Sequence, residues 1–255
     1  MYIDLTQYLV FLLVMVRMAG LFMFNPIFSR TNVPVMINTG LAFVIAILLT
    51  GSVAFPPMQD VTLYTFFYLV LKELSVGMFA GFIIRMFMAV LVVGGEAIDM
   101  QMGIGMAKAF DPATNASVSI SAQLLNVMFT LGFFMSNAHL TLISMTAKTF
   151  DIIPLGNIAF NAVNFLAVPE LITLVILLSV KLCMPILVIE IIVTFAVGMV
   201  MRVVPQINVF VLSIQLKLLI GLIAMITLVP AFSAFCENLI FLSFEHIQEI
   251  WLNFV

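Results

Sequence analysis

Residues 171–204 read LITLVILLSVKLCMPILVIEIIVTFAVGMVMRVV, and this stretch decides the fold. It is apolar throughout, with Lys181, Pro185 and Glu190 inside it. As a helix rising about 1.5 Å per residue, it is considerably longer than the roughly 30 Å hydrocarbon core of a bilayer. It ends at Arg202 and the polar turn Pro205-Gln206-Ile207-Asn208, and a second apolar run follows from Val209 to Val229, with Lys217 inside it. Two long arms around a short turn predict a helical hairpin. Pro230 interrupts the second arm, and a more amphipathic tail carries Glu237, Glu245, His246, Glu249 and the single Trp251.

Outward from the hairpin, the rest of the chain has the same character. Of 255 residues, 64% are hydrophobic and 8% charged, against about half and about a quarter in a soluble globular domain. Such a chain cannot cover a water-facing surface, so its apolar faces must meet lipid or other apolar protein. The first run, Leu5 to Phe24, stops at Asn25-Pro26 and a loop with Arg30 and Asn32. It lacks a basic leader and an Ala-x-Ala site, so it reads as a retained helix. A second run spans Val33 to Leu49 and ends near Gly51 and Pro56-Pro57. A third, Val61 to Val93, exceeds one span and is expected to be interrupted by Gly77, Gly81 and Gly94-Gly95. Between Gly94 and Ser121 glycine, methionine and charge mix; helix is expected to resume from Ala122 to Met145, and Lys148 to Asn164 reads as a polar connection. The fold class is all-α: a polytopic membrane-type protein of long, kinked helical hairpins.

Seven charges lie inside apolar runs: Arg17, Lys72, Glu73, Arg85, Lys181, Glu190 and Lys217. A charge at the centre of a membrane helix costs roughly 3 kcal/mol on insertion scales. Lys72 and Glu73 fit snorkelling near a helix end. Arg17, Arg85, Glu190 and Lys217, with Glu96 and Asp99, point to polar contacts sheltered within an assembly, and Glu190 and Lys217 are expected to pair across the hairpin. Short loops show no basic bias, so the positive-inside rule does not fix topology. Gly77 and Gly81 form a G-x-x-x-G pattern that lets a neighbouring helix backbone approach.

Catalytic chemistry has no foothold. His139 and His246 belong to no ligand pair, Cys183 and Cys236 sit in apolar runs as small core hydrophobes, and there is no nucleophile elbow. Gly103-Ile104-Gly105-Met106-Ala107-Lys108 lacks the spacing of a phosphate-binding loop. Net charge is −3 without a basic stripe, which argues against nucleic acid. No enzyme activity, metal or cofactor is expected. The alternative to an assembly component is a small-solute or ion transporter with Arg85, Glu96, Asp99, Glu190 and Lys217 as a relay.

Two stretches carry a resemblance. One is Gly95-Glu96-Ala97-Ile98-Asp99-Met100-Gln101-Met102-Gly103, continuing through Phe110-Asp111-Pro112-Ala113 to Gln123-Leu124-Leu125-Asn126. The other is Arg202-Val203-Val204-Pro205-Gln206-Ile207-Asn208-Val209-Phe210, followed by Gln215-Leu216-Lys217-Leu218-Leu219-Ile220-Gly221. In order, spacing and surrounding helix pattern the chain resembles the FliR family of flagellar biosynthesis proteins, whose virulence counterparts serve type III injectisomes.

The resemblance implies an export gate in the bacterial inner membrane, within the flagellar basal body, through which unfolded flagellar proteins pass. It implies partners: several copies of the P and Q subunits, the membrane component that switches export specificity, and other membrane proteins of the apparatus. It further implies a P-like half, residues 1–166, fused to a Q-like hairpin, residues 167–255, with the joint near Asn164 to Glu170. A channel plug is expected within residues 103–121, at Gly103, Gly105, Met106, Phe110, Asp111, Pro112, Ala113, Asn115 and Ser117. The hairpin turn with Arg202, Pro205, Gln206 and Asn208 is expected on the cytoplasmic side.

Overall fold

The computed structural model describes residues 5–30, 33–53, 62–105, 119–156, 162–203 and 209–252. Among these, eight helices and no strand are found: α1 Leu5–Phe24, α2 Val35–Thr50, α3 Leu63–Met102, α4 Ile120–Met135, α5 Ala138–Ile152, α6 Ala162–Val203, α7 Val209–Thr227 and α8 Val229–Leu252. Helices α1, α3 and α6 are each long and apolar enough to cross a membrane. The bent pairs α4–α5 (66°) and α7–α8 (60°) bring the total to five if each pair is one span.

Local chemistry sets most helix ends. At the end of α1 the Asn25 side chain accepts the Ile27 N–H at 2.9 Å, and Pro26 has no N–H to continue the ladder. α3 runs unbroken for 40 residues, so Gly77, Gly81, Gly94 and Gly95 do not interrupt it as their spacing led us to expect. It stops at Gly103, whose φ of 82° is the left-handed conformation glycine adopts freely at a helix end. The expected single helix from Ala122 to Met145 is two helices: Asn137, at φ 57°, turns the chain between α4 and α5. The second hairpin arm is likewise two helices, with Pro230 in the first turn of α8, where its missing N–H costs nothing.

The chain divides into two compact units. Unit 1 comprises Met1–Phe87, Phe134–Leu171 and Ile240–Val255; unit 2 comprises Met88–Phe133 and Ile172–Leu239. In unit 1, α1 buries Val10, Leu13, Val14, Met18 and Phe22 against Ala42 and Ala46 of α2 and against Leu69 and Phe150. The two alanines, four residues apart, put small side chains on the inner face of α2 and let α1 pack closely there. In unit 2 the core is built from Leu91, Ile98, Leu125, Phe129, Leu182, Ile186 and Met225, with both free cysteines buried in it.

Candidate functional site

In unit 1, three glycines allow the backbones of α1 and α3 to touch. A methyl group at Gly77 would overlap the Arg17 carbonyl, one at Gly81 would lie 2.8 Å from the Asn25 nitrogen, and one at Gly20 would lie 2.8 Å from the Leu74 oxygen. This close approach places Arg17 beside Glu73, and both side chains are fully buried. Arg17 Nε donates to Glu73 Oε2 at 2.6 Å, Nη1 to Thr149 Oγ1 at 3.0 Å and Nη2 to the Ile153 carbonyl at 3.1 Å. The second Glu73 oxygen accepts the Gly156 N–H at 2.9 Å, and the guanidinium carbon lies 4.1 Å from the centroid of Phe150. The snorkelling reading of Glu73 is therefore corrected: the carboxylate points into the unit, because Arg17 and a backbone N–H satisfy it there. Lys72 does turn outward, reaching the Gly156 carbonyl at 3.4 Å and the ring of Tyr68. Arg85 is exposed.

In unit 2, Gly95 of α3 packs directly on the backbone of Ala122 in α4. One turn later Asp99, 2% exposed, caps α4: Oδ2 accepts the Ile120 N–H at 2.7 Å and Oδ1 accepts the Ser121 N–H at 3.2 Å. The Ser119 hydroxyl accepts the Ala122 N–H at 3.1 Å. Asp99 thus supplies the cap from a different helix, satisfying two of the N–H groups every helix start leaves free. Asp99 thereby links the last turn of α3, which ends at Met102, to the start of α4 at Ile120. Of the expected plug, Gly103 closes α3, Gly105 with Ile104 is helical again beyond that turn, and Ile120 and Ser121 already belong to α4. Met106, Phe110, Asp111, Pro112, Ala113, Asn115 and Ser117 lie outside the described residues. Glu96 is exposed.

Glu190 is fully buried in unit 2, and neither carboxyl oxygen has a hydrogen-bond partner among the described residues. The side chain fits because Gly221 of α7 leaves room: a methyl there would meet Glu190 Oε1 at 2.8 Å and Met102 Cγ at 2.6 Å. The expected ion pair with Lys217 is not formed. Lys217 instead lines an open cavity of about 800 Å³ with Gln101, Phe195, Met199 and Arg202. Arg202 is exposed; Pro205, Gln206 and Asn208 lie outside the described residues. His139 packs on Phe134 and His246 on Phe87, with ring centroids 5.2 and 5.8 Å apart. Among the described residues no group of His, Cys, Asp and Glu could hold a metal ion.

Two contributors had no sequence signal of their own. Thr149 and Gly156 reach the Arg17–Glu73 pair from more than 80 residues beyond Glu73 or 130 beyond Arg17. Gly221 could have been noticed as a small residue one turn after Lys217.

Comparison with known proteins gives a consistent result. Residues 8–242 match the sequence profile of the family described as bacterial export proteins, family 1. The flagellar biosynthetic protein FliR of Escherichia coli K12 is 31% identical over 227 residues, covering 88% of this chain and 86% of the relative. FliR of Bacillus subtilis 168 is 28% identical over 245 residues, with 94% and 93% covered. The Yop proteins translocation protein T of Yersinia pestis is 26% identical over 220 residues, with 84% of each covered.

Proposed function

The chain belongs to the bacterial export proteins, family 1, and from that membership we propose that it is a subunit of the flagellar type III protein-export gate. The observation that carries this is the end-to-end likeness to flagellar and translocation proteins, which spans both halves of the chain. Its role is mechanical: it completes a closed helical assembly in the bacterial inner membrane, at the flagellar basal body, through which unfolded flagellar proteins pass. It carries out no catalysis and binds no cofactor.

Its partners in this reading are the P and Q subunits of the gate, the specificity-switch component and the other membrane proteins of the apparatus. Residues 1–166 act as a P-like half and 167–255 as a Q-like hairpin, whose turn at Arg202, Pro205, Gln206 and Asn208 offers a docking point. The stretch from Gly103 to α4 is the channel plug. Several features support this last assignment. The segment leaves α3 at a left-handed glycine and rejoins at α4, with Asp99 linking the last turn of α3 to the start of α4. Gly105 and Pro112 lower the helix tendency of the segment, and Ala113 and Ser117 keep its cross-section small.

One experiment tests both levels. The chain is co-expressed with P- and Q-type subunits and purified, and the complex is placed in liposomes to follow release of a small dye. A defined hetero-oligomer that holds the dye, and that leaks once Ala107–Ser117 is deleted, is expected. A stable lone chain that moves a solute sinks the gate reading. An intact complex whose permeability the deletion leaves unchanged sinks the plug alone.

A further inference from the structure

We propose that the flank where α3 and α4 meet in unit 2 is an interface that receives an arginine or lysine from an apolar helix of a neighbouring subunit, with Glu96 as its counter-charge. This rests on the reading that the chain works within a hetero-oligomer. The first ground is placement. Gly95 of α3 lies against the backbone of Ala122 of α4, and Asp99, one turn later on α3, reaches the first N–H groups of α4. The two helices therefore run in opposite directions at this contact. A helix turns by about 100° per residue, and in two antiparallel helices the step beyond the contact residue swings to the same side on each. Glu96 and Gln123, the residues that follow Gly95 and Ala122, thus share one flank, and both are exposed. Asn126, one turn beyond Ala122, leans to the same side. The stretches of sequence that carry the family likeness, Gly95 onward and Gln123 to Asn126, converge on a single strip.

The second ground is a set of acceptors without donors. Among the described residues 88–105 and 119–133 the only charges are Asp99, which is taken up by the α4 cap, and Glu96. Glu96 forms no ion pair among the described residues. Asn126 Oδ1 is enclosed without a hydrogen-bond donor. A carboxylate and an amide oxygen along one strip match a cation that carries several N–H groups. A phosphate or a second carboxylate would be repelled there.

The third ground is the surroundings. Val92 and Met100, one turn either side of Glu96 on α3, are exposed, Met100 at 77%, and Leu124 and Val127 continue the apolar surface on α4. Contiguous exposed apolar surface of this kind marks a protein contact, and methionine adapts to incoming side chains. Once another helix covers the face, Glu96 must be matched, because a buried ion without a partner is strongly unfavourable.

The test uses the chain purified with its co-expressed P- and Q-type subunits. A photo-crosslinking benzoylphenylalanine replaces Gln123, and adducts are identified by mass spectrometry. It should join a peptide of another subunit that holds Lys or Arg within an apolar helical run. Glu96→Lys should lower the recovered complex at least about tenfold, and Glu96→Gln should lower it less. The thermal midpoint of the lone Glu96→Lys chain in detergent should be unchanged, because the side chain is exposed there. Changing the partner's cross-linked Lys or Arg to Glu should restore assembly of the Glu96→Lys chain. An intact complex in which position 123 joins only detergent, a second copy of this chain or residues 106–118 overturns the proposal and leaves the gate reading standing. So does undiminished recovery of Glu96→Lys, or a loss that the partner substitution does not reverse. An unaltered chain that forms no hetero-oligomer removes both.

Discussion

At the residue scale, the Arg17–Glu73 pair shows how this chain tolerates charge in an apolar environment. Burying two ions is costly, and only complete hydrogen bonding offsets it. Here the guanidinium has three oxygen partners and the carboxylate a backbone N–H besides. Arg17→Met leaves Glu73 buried and unpaired, and should cost about 3–5 kcal/mol. Adding Glu73→Leu should recover much of that loss, read as the thermal midpoint of the full chain in detergent. No recovery would mean that the pair is needed for more than charge balance. The glycines give a sharper contrast. Gly77→Ala drives a methyl into the Arg17 backbone, which cannot rotate away, while Gly40 on α2 has nothing within 4 Å. Gly77→Ala should cost at least the 1–3 kcal/mol of an overpacked core, and Gly40→Ala should leave the midpoint unchanged or raise it. Arg17, Gly77 and Gly81 were legible in the sequence as residue types out of place. That Glu73 is the partner was not, because the two are 56 residues apart and nothing in either neighbourhood encodes the contact.

At the scale of elements, the lesson concerns punctuation. Glycine ordinarily weakens a helix, and α3 carries four in its length, yet it does not break. Its glycines lie where another backbone passes, and packing outweighs propensity. Between α4 and α5 the reverse holds. The sequence Met135-Ser136-Asn137-Ala138 offers no proline or glycine, and the bend depends on one asparagine accepting a left-handed conformation. The long runs themselves were readable from composition, because twenty or more apolar residues have few alternatives to a helix. Asp99 was expected as a polar contact sheltered in the assembly; that it caps α4 depends on a segment 21 residues away. Asp99→Ala should cost about 1–2 kcal/mol, and Asp99→Asn, which keeps one acceptor, less. Protease sensitivity between residues 103 and 119 should rise with the alanine variant. If Asp99→Ala leaves both the midpoint and the cleavage rate unchanged, the cap contributes nothing to holding that segment.

At the scale of the whole molecule, the charges fall into two groups. Arg17, Glu73, Asp99 and Glu190 are enclosed by the chain itself, whereas Arg85, Glu96, Lys181 and Arg202 are exposed. Shelter by neighbouring subunits is therefore needed only by the second group. Unit 1 also depends on the last helix. Trp251, 3% exposed, reaches the Val76 carbonyl through its indole N–H at 3.4 Å. Trp251→Ala should lower stability by about 3–5 kcal/mol, and Trp251→Phe, which keeps a ring but not the donor, by about 1 kcal/mol. Equal midpoints for the alanine variant and the unaltered chain would mean that α8 is not part of the unit's core.

The interleaving of the two units has a consequence for how the protein is made. Every segment of unit 2 has left the ribosome once residue 239 has emerged, but unit 1 still lacks residues 240–255. At about 5–20 residues per second, Val76 waits on the order of ten seconds to half a minute for Trp251 to be translated. Throughout that interval the earliest helices have an uncovered flank. The nascent chain is then open to an insertase, a chaperone or an assembly partner, and that window closes when the final turns dock.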